Sequence, residues 1–205
     1  MSQITAIIFD IGGVIQKSDR KASSKMVGLP EVDYSALFKS DLDNNYSHLR
    51  KGIINSTQFI DNLYPRVKQL NPDVTKSQVR ESLDFLLPPE PEMLQFLQIL
   101  KSRYQLAILS NSWPEFMQNA IRAKGTENDY LQYFEPYIYL SYKIGKIKPN
   151  PDAYFHVLEQ MQITPEQAIF IDNRPDNTAA ARSLGLKTID FQNIAQLKAD
   201  LQDLG

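Results

Sequence analysis

Residues 4–14 read ITAIIFDIGGV, an apolar run that ends in an acidic residue and is followed by two glycines. A continuous apolar run of this length is typical of a strand buried on both faces, as in a parallel sheet. Ligands bind where the carboxyl ends of such strands meet, so Asp10 is predicted at a ligand-binding edge. A carboxylate there can attack an electrophile, and Gly12 and Gly13 let backbone N–H groups approach an anion. The alternative is an Asp that ends the strand in an Asx turn.

Three further apolar runs are read as buried strands: 105–109, 168–171 and 186–189. Segments with helical spacing of apolar residues lie between them. This alternation predicts an α/β fold, a three-layer, Rossmann-like core built on a parallel sheet.

Residues 17–88 differ from the rest of the chain: they are polar, helical in period and without a convincing strand. The segment Leu87-Pro88-Pro89-Glu90-Pro91 cannot continue a helix, which favours a boundary there. We therefore expect a core domain of residues 1–16 and 89–205 and an inserted α-helical domain of residues 17–88, called the insert below.

The composition excludes several classes of function. Lys and Arg total 22 against 24 Asp and Glu, so no basic field indicates a nucleic-acid or anionic-membrane partner. The sequence contains no run of 18 apolar residues, so we expect no membrane span. Met1 to Phe9 lacks the features of a signal peptide. The absence of cysteine excludes disulfides, thiolate metal sites and a thiol nucleophile. We expect a cytoplasmic protein, either a monomer or a homodimer.

Two further clusters carry groups that could bind a phosphoryl group. Ser110 and Asn111 follow the second apolar run, and a hydroxyl and a backbone N–H are suitable donors to a phosphoryl oxygen. Lys148 precedes a rigid Pro-Asn-Pro turn, where its ammonium could neutralise an anion. Taken alone, the first cluster is more often a helix cap and the second as often a solvated loop.

The fourth cluster follows the third apolar run and contains Asp172, Asn173 and Asp176. Carboxylate and amide oxygens at a strand end suit Mg²⁺, which keeps several waters and binds few protein carboxylates. The alternative is an ordinary turn that caps the following helix.

Taken together, Asp10, Ser110, Lys148 and Asp172 resemble the four motifs of the haloacid dehalogenase superfamily over essentially the whole chain. The insert directly after the first strand resembles the helical cap of subfamily I. The Asp-x-Gly pattern of residues 10–12 is similar to that of phosphatases of the alpha-D-glucose-1-phosphate type.

The resemblance implies roles for these residues in phosphoryl transfer. Asp10 would be the nucleophile that forms a phosphoaspartate. Ser110 and Asn111, together with Gly12 and Gly13, would bind the phosphoryl group. Lys148 would pair with Asp10 and bind the phosphoryl group as well.

The resemblance also implies a Mg²⁺ cofactor. Its ligands would be Asp10, the backbone carbonyl of Gly12, Asp172, Asn173 and Asp176. Two positions depart from the family's usual pattern. Gly12 stands where most of these phosphatases have a second Asp that acts as general acid and base, and Asn173 stands where related sequences have a second metal-binding Asp.

The expected function is Mg²⁺-dependent hydrolysis of a small phosphorylated metabolite, a sugar phosphate or a nucleotide. Tyr34, Tyr46 and Phe59 in the insert could stack on a base, although they are more typical of the core of a small helical bundle. Two other functions stay open: a haloacid dehalogenase-type hydrolase, or a catalytically weak binding or regulatory homologue.

Overall fold

A single parallel sheet forms the centre of the protein. The computed structural model describes residues 3–17, 19–29, 44–83, 87–122 and 130–204. Within these ranges five strands pair in the order β3-β2-β1-β4-β5. The strands are β1 (Ala6–Phe9), β2 (Gln105–Ser110), β3 (Ile138–Leu140), β4 (Ala168–Asp172) and β5 (Lys187–Asp190).

The register of the sheet brings the polar strand ends together. Phe9 at the end of β1 pairs with Ile108 on one side and with Ile171 on the other. Because all three strands run in the same direction, Asp10 lies at the same edge as Ser110 and Asp172.

Helices cover both faces of the sheet. Those of the core are α5 (Pro91–Lys101), α6 (Pro114–Arg122), α7 (Ser141–Ile144), α8 (Pro151–Met161), α9 (Pro175–Ser183) and α10 (Ile194–Leu204). Side chains of β1 alternate between two buried clusters: Ile7 and Phe9 pack with α5, whereas Ala6 and Ile8 pack with α8. The predicted three-layer α/β core is therefore confirmed.

The strand predictions were right for four of the five strands. Their observed bounds differ from the predicted ones by one or two residues, and β2 and β4 reach Ser110 and Asp172. The sequence reading missed β3. This strand has only three residues, which is too short for an alternating or continuous apolar pattern to be recognised.

The described part of the insert is helical, as predicted. Its helices are α1 (Arg20–Met26), α2 (Asn45–Arg50), α3 (Ser56–Leu70) and α4 (Lys76–Ser82). Asn55 and Thr75 begin α3 and α4 with capping boxes, in which Gln58 and Gln78 bond back to the capping residue. The rest of the predicted insert, residues 18, 30–43 (which include Tyr34) and 84–86, lies outside the described residues.

The two chain connections between core and insert lie side by side. The backbone N–H of Leu87 donates to the carbonyl of Lys17, with an N···O distance of 2.8 Å. The side-chain amide of Gln16 donates to the carbonyl of Leu87 at 3.3 Å. This pairing at residues 16–17 and 87 agrees with the proposed division at residues 17 and 88, which stays a proposal.

None of the helices in the part of the chain that the structure describes has the length and apolar character needed to cross a membrane.

Helix α5 offers a test of the core packing. Leu97 is fully buried against the sheet, whereas Ile99 on the same helix is 58% exposed. We expect Leu97→Ala to lower the free energy of unfolding by about 2–5 kcal/mol because it leaves a cavity, and Ile99→Ala by less than about 0.5 kcal/mol. Urea denaturation followed by circular dichroism measures both values. Equal losses in the two variants would contradict the described packing of α5.

Candidate active site

A buried lysine links two strand ends at the edge of the sheet. The Nζ atom of Lys148 lies 2.9 Å from Oδ1 of Asp10 and 2.7 Å from Oδ2 of Asp172. The side chains of Lys148, Asp10 and Asp172 are only 1%, 11% and 0% exposed, respectively. Three segments distant in the sequence thus meet in one ion-pair cluster, and the structure brings together three of the predicted site residues.

The charges of this cluster do not balance. Two carboxylates face one ammonium, which leaves one negative charge in excess. Burial raises the pKa of Asp10, Lys148 lowers it and Asp172 raises it further, with a net pKa of about 6. Burial by itself would lower the pKa of Lys148, but Asp10 and Asp172 outweigh burial and raise it above its ordinary value. Lys148 is therefore a permanent cation beside an electron-rich carboxylate.

The side chain of Asn111 fixes the backbone of Lys148. Its Oδ1 accepts from the Lys148 N–H at 2.9 Å, and its Nδ2 donates to the Lys148 carbonyl at 2.8 Å. The amide is thus engaged in positioning Lys148. Because both side-chain atoms are engaged, only the backbone N–H of Asn111 is left to bind a phosphoryl group, as the sequence predicts.

Ser110 is 1% exposed at the last position of β2. The loop after it is held by Ser141, a fully buried residue that sequence reasoning missed. The Ser141 hydroxyl accepts from the N–H of Ser112 at 3.0 Å and donates to its carbonyl at 3.1 Å. Ser141 begins α7 directly after β3, so missing that strand also concealed this contact.

Asp172 is surrounded by hydrogen-bond donors of the protein. Its Oδ2 accepts from Lys148 and, at 2.8 Å, from Nδ2 of Asn177; its Oδ1 accepts from the N–H of Arg174 at 2.9 Å. Asn177 is itself buried, and its carbonyl accepts from the hydroxyl of Tyr154 at 2.9 Å. These contacts suit Asp172 for anchoring Lys148. Sequence reasoning missed Asn177. Its only signal in the sequence was its position at the start of α9, the helix that follows Asp172 and Asn173.

Asn173, the next residue, faces the glycine loop. A Cβ atom built on Gly13 would lie 2.2 Å from Nδ2, 2.8 Å from Cγ and 3.1 Å from Oδ1 of Asn173. The Asn173 amide therefore occupies the space that any side chain at residue 13 would need. Gly13 also has a φ of +88°, a conformation that favours glycine.

Asp176 does not join the carboxylates at the strand ends. It forms a bidentate pair with Arg174, at 3.1 Å to Nε and 2.7 Å to Nη2, and both side chains are about half exposed. Among the described residues no three Asp, Glu or His side chains form a metal-binding cluster. The carboxylate of Asp176 is thus directed to the guanidinium of Arg174, and its role as a metal ligand stays a prediction.

The insert contacts the core beside the site. Trp113, two residues after Asn111, belongs to the apolar cluster of the insert and is only 6% exposed. Its ring lies 6.1 Å from that of Tyr46, which in turn lies 6.0 Å from that of Phe59. The hydroxyl of Ser56 also donates to Glu115 of the core. Tyr46 and Phe59 thus pack within the insert, as expected for residues of a helical bundle.

Comparison with known proteins agrees with this fold and motif order. The family model of haloacid dehalogenase-like hydrolases matches residues 4–185. The chain therefore belongs to the haloacid dehalogenase-like hydrolases, and it is an enzyme of the hydrolase class.

Individual relatives add detail. The chain is 26% identical to D-ribitol-5-phosphate phosphatase of Bacteroides thetaiotaomicron over 97% of each protein. A solved structure of a haloacid dehalogenase family enzyme from the same organism, in complex with magnesium and inorganic phosphate, has a TM-score of 0.76 at 22% identity and covers 95% of this chain and 98% of that one. L-2-haloacid dehalogenase of Xanthobacter autotrophicus has a TM-score of 0.65 at 19% identity and covers 98% and 83%. At these identities the two structures show a shared fold.

The raised pKa of Asp10 leads to a prediction about stability. The pKa of Asp10 is about 6 in the folded protein against an ordinary 3.8, so the folded state holds this proton more tightly than the unfolded chain. The contribution of Asp10 to stability is therefore greatest below about pH 4 and falls as the pH rises through about 6. We expect Asp10→Asn, without metal, to have a free energy of unfolding about 1–3 kcal/mol higher than that of the wild type at pH 7.5. The difference should shrink towards pH 4, and urea denaturation at both pH values measures it.

Asp152→Asn provides the matched control, since the Asp152 side chain is 56% exposed and pairs only loosely with Lys146, at 3.6 Å. It should change stability by less than about 0.5 kcal/mol at any of these pH values. A wild type as stable as Asp10→Asn at pH 7.5 would contradict the raised pKa of Asp10.

Proposed function

We propose that this protein is a Mg²⁺-dependent phosphatase that hydrolyses a small phosphorylated metabolite through a phosphoaspartate at Asp10. One observation carries the proposal: the ammonium of Lys148, buried at the strand ends, touches both Asp10 and Asp172. A carboxylate with a fixed cation at the binding edge of a parallel sheet is suited to attack an anionic electrophile.

The arrangement addresses the main obstacle to such an attack. A carboxylate that approaches a phosphate dianion meets like-charge repulsion, and fixed positive groups lower the barrier by several kcal/mol. Lys148 provides one such group, held in place by Asn111 and Asp172. Ser110 and the backbone N–H groups of Asn111 and Gly12 would bind the phosphoryl oxygens, whereas the N–H of Gly13 donates to the carbonyl of Gln16 at 2.6 Å. Asp10 attacks the phosphorus, the leaving group departs, and water then hydrolyses the phosphoaspartate.

The residues beside Asp10 fit a magnesium ion. Mg²⁺ binds one or two carboxylates, accepts carbonyl and amide oxygens and keeps several waters. Asp10, the carbonyl of Gly12 and the side-chain oxygen of Asn173 provide such a set, and Gly13 leaves the space that the Asn173 amide occupies. When bound, the ion would supply positive charge for the nucleophile and the phosphoryl group. In this proposal Asp172 anchors Lys148, and Asp176 has no direct contact with the ion.

The comparisons support a phosphorylated small molecule as the substrate. The Bacteroides relative is named for the phosphate of a sugar alcohol, and a structure with the same fold holds magnesium and inorganic phosphate. We keep a sugar phosphate or a nucleotide as the expected substrate, recognised by the insert above the phosphate site. The cytoplasmic location and the monomeric or homodimeric state stay predictions.

Hydrolysis of an activated aryl phosphate, a panel of sugar phosphates and a panel of nucleotides tests the proposal. We expect phosphate release by the wild type that requires Mg²⁺ and that Asp10→Asn lowers by at least about 10³-fold, because the nucleophile is lost. Asp152→Asn, the same exchange at an exposed position, should keep wild-type activity. Malachite green detection of phosphate provides the measurement.

The same experiment separates the alternatives. Release of chloride from 2-chloropropionate without Mg²⁺ would identify a dehalogenase instead. A folded protein that binds phosphate but releases none from any compound would be a binding homologue.

Two glycines with positive φ provide a test of the Asn173 position. Gly13→Ala and Gly145→Ala should each cost about 1–2 kcal/mol of stability from backbone strain. Only at Gly13 would the added methyl displace Asn173, because a Cβ on Gly145 meets no atom within 4 Å. We expect Gly13→Ala to weaken Mg²⁺ binding by about 10- to 100-fold and Gly145→Ala to leave it unchanged. Isothermal titration calorimetry with MgCl₂ measures both; equal affinities would remove Asn173 from the proposed site.

A further inference from the structure

A buried tyrosine hydroxyl lies behind the ion-pair cluster. Tyr154, on α8, is 1% exposed, and its hydroxyl donates to the backbone carbonyl of Asn177 at 2.9 Å. The side-chain amide of Asn177 in turn donates to Oδ2 of Asp172 at 2.8 Å, the same oxygen that accepts from Lys148. A chain of contacts therefore runs from Tyr154 through Asn177 and Asp172 to the lysine beside the nucleophile.

Tyr154 and Lys148 belong to the same segment of the chain. Lys148 precedes the Pro149-Asn150-Pro151 turn, and Tyr154 lies near the start of α8, the helix that begins at Pro151. This segment contacts the next motif twice: Lys148 bonds to Asp172, and Tyr154 bonds to Asn177 at the start of α9. The two contacts act as a clamp that limits movement of Lys148 relative to Asp172.

Phe170, in β4, packs against both ends of this clamp. Its ring lies edge-on to that of Tyr154, with a centroid distance of 5.3 Å and an interplanar angle of 87°. The Nζ atom of Lys148 lies 5.2 Å from the centroid of the Phe170 ring. The ring of Tyr154 is thus held in the orientation that directs its hydroxyl to Asn177.

The side chain of Asn177 is anchored on one side only. Its Nδ2 bonds to Asp172, but its Oδ1 is buried without a hydrogen-bond partner among the residues that the structure describes. Such unpaired buried atoms are uncommon and unfavourable. Because no bond to Oδ1 orients the amide, its position depends on the backbone of Asn177, which Tyr154 holds.

The hydroxyl of Tyr154 remains protonated. Burial raises the pKa of Tyr154, and the negative charges of Asp172, Asp176 and Asp10 raise it further, whereas Arg174 lowers it. Tyr154 is therefore a permanent hydrogen-bond donor that lies within the electrostatic field of the site.

We propose that Tyr154 is a positioning residue that acts through Asn177 and Asp172 to hold the ammonium of Lys148 against the nucleophile. Under the proposed phosphatase function, which this inference presupposes, Tyr154 belongs to the machinery of the site although it touches neither the substrate nor Asp10. A displacement of about 1 Å caused by a distant change can cost about 10²-fold in rate. Because Lys148 offsets the repulsion met during the attack, a displaced ammonium lowers kcat rather than raising KM.

Tyr154→Phe tests the role of the hydroxyl, because it keeps the ring that packs on Phe170. With the activated aryl phosphate and Mg²⁺, we expect kcat to fall by about 10- to 100-fold and KM to change by less than about 3-fold. Tyr139→Phe is the matched control, since Tyr139 packs in the same apolar cluster as Tyr154 and is 9% exposed. This control should keep the wild-type kcat.

A double-variant cycle tests whether Tyr154 acts through Asn177. Asn177→Ala removes the bond to Asp172 but keeps the backbone carbonyl that Tyr154 contacts. In this background Tyr154→Phe should lower kcat by less than about a further 2-fold, because residues that act as a unit are not additive. A tyrosine that only stabilises the fold would instead lower kcat by the same factor in both backgrounds.

The order of the lysine can be observed without turnover. Exposed ammonium protons exchange rapidly with water, whereas a buried and ion-paired ammonium is protected. A proton–nitrogen correlation spectrum of isotope-labelled lysine side chains should therefore contain a protected signal that is absent in Lys148→Met. We expect the exchange of this signal to accelerate by at least about 10-fold in Tyr154→Phe and in Asn177→Ala, and to stay unchanged in Tyr139→Phe.

Two results overturn the inference while the proposed function stands. One is a Tyr154→Phe variant with wild-type kcat and wild-type exchange of the Lys148 ammonium. The other is an equal loss of kcat in both backgrounds of the cycle. A wild type that hydrolyses no phosphate refutes the proposed function instead; faster exchange of the Lys148 ammonium in Tyr154→Phe, but not in Tyr139→Phe, would then still support the positioning of Lys148 by Tyr154.

Discussion

The paired contact of Lys148 with Asp10 and Asp172 is the interaction on which the site depends. A buried ammonium is stable only with partners, and here three segments far apart in the chain provide the cation and both anions. The polar residues around them serve this contact: Asn111 binds the Lys148 backbone and Asn177 binds Asp172. The cluster keeps one negative charge in excess. Burial and the neighbouring Asp172 raise the pKa of Asp10, which lowers folding stability above about pH 6. The excess negative charge also makes the site attractive to a cation.

The insert and the loop after β2 pack together through one apolar cluster. The chain passes from Ser110 at the end of β2 directly to Trp113, which is buried in the apolar cluster of the insert, and then to Phe116, which contacts both clusters. The positions proposed to bind the phosphoryl group are thus in contact with the insert, which is proposed to meet the remainder of the substrate.

Much of the fold and the centre of the site could be predicted. Long apolar runs are local properties, so four strands were recognised, with Asp10 and Asp172 at their ends. Lys148 was identified by its place before a rigid turn and by the order of the motifs. The short strand β3 could not be recognised, because three residues carry no periodic pattern, and with it the supporting role of Ser141 was missed.

The sequence by itself determined the α/β class, the helical insert and the identity of the charged groups at the sheet edge, because these follow from hydrophobic pattern and residue type. The tertiary structure decided which atom each polar group contacts. Asn111 bonds to a residue 37 positions away, and Phe116 on α6 lies against Gly12 in the loop after β1. The structure also directed the neighbours Asp172 and Asn173 to different partners, Lys148 and the glycine loop. Such contacts are set by how strands and helices pack in three dimensions, which no local pattern of residues encodes.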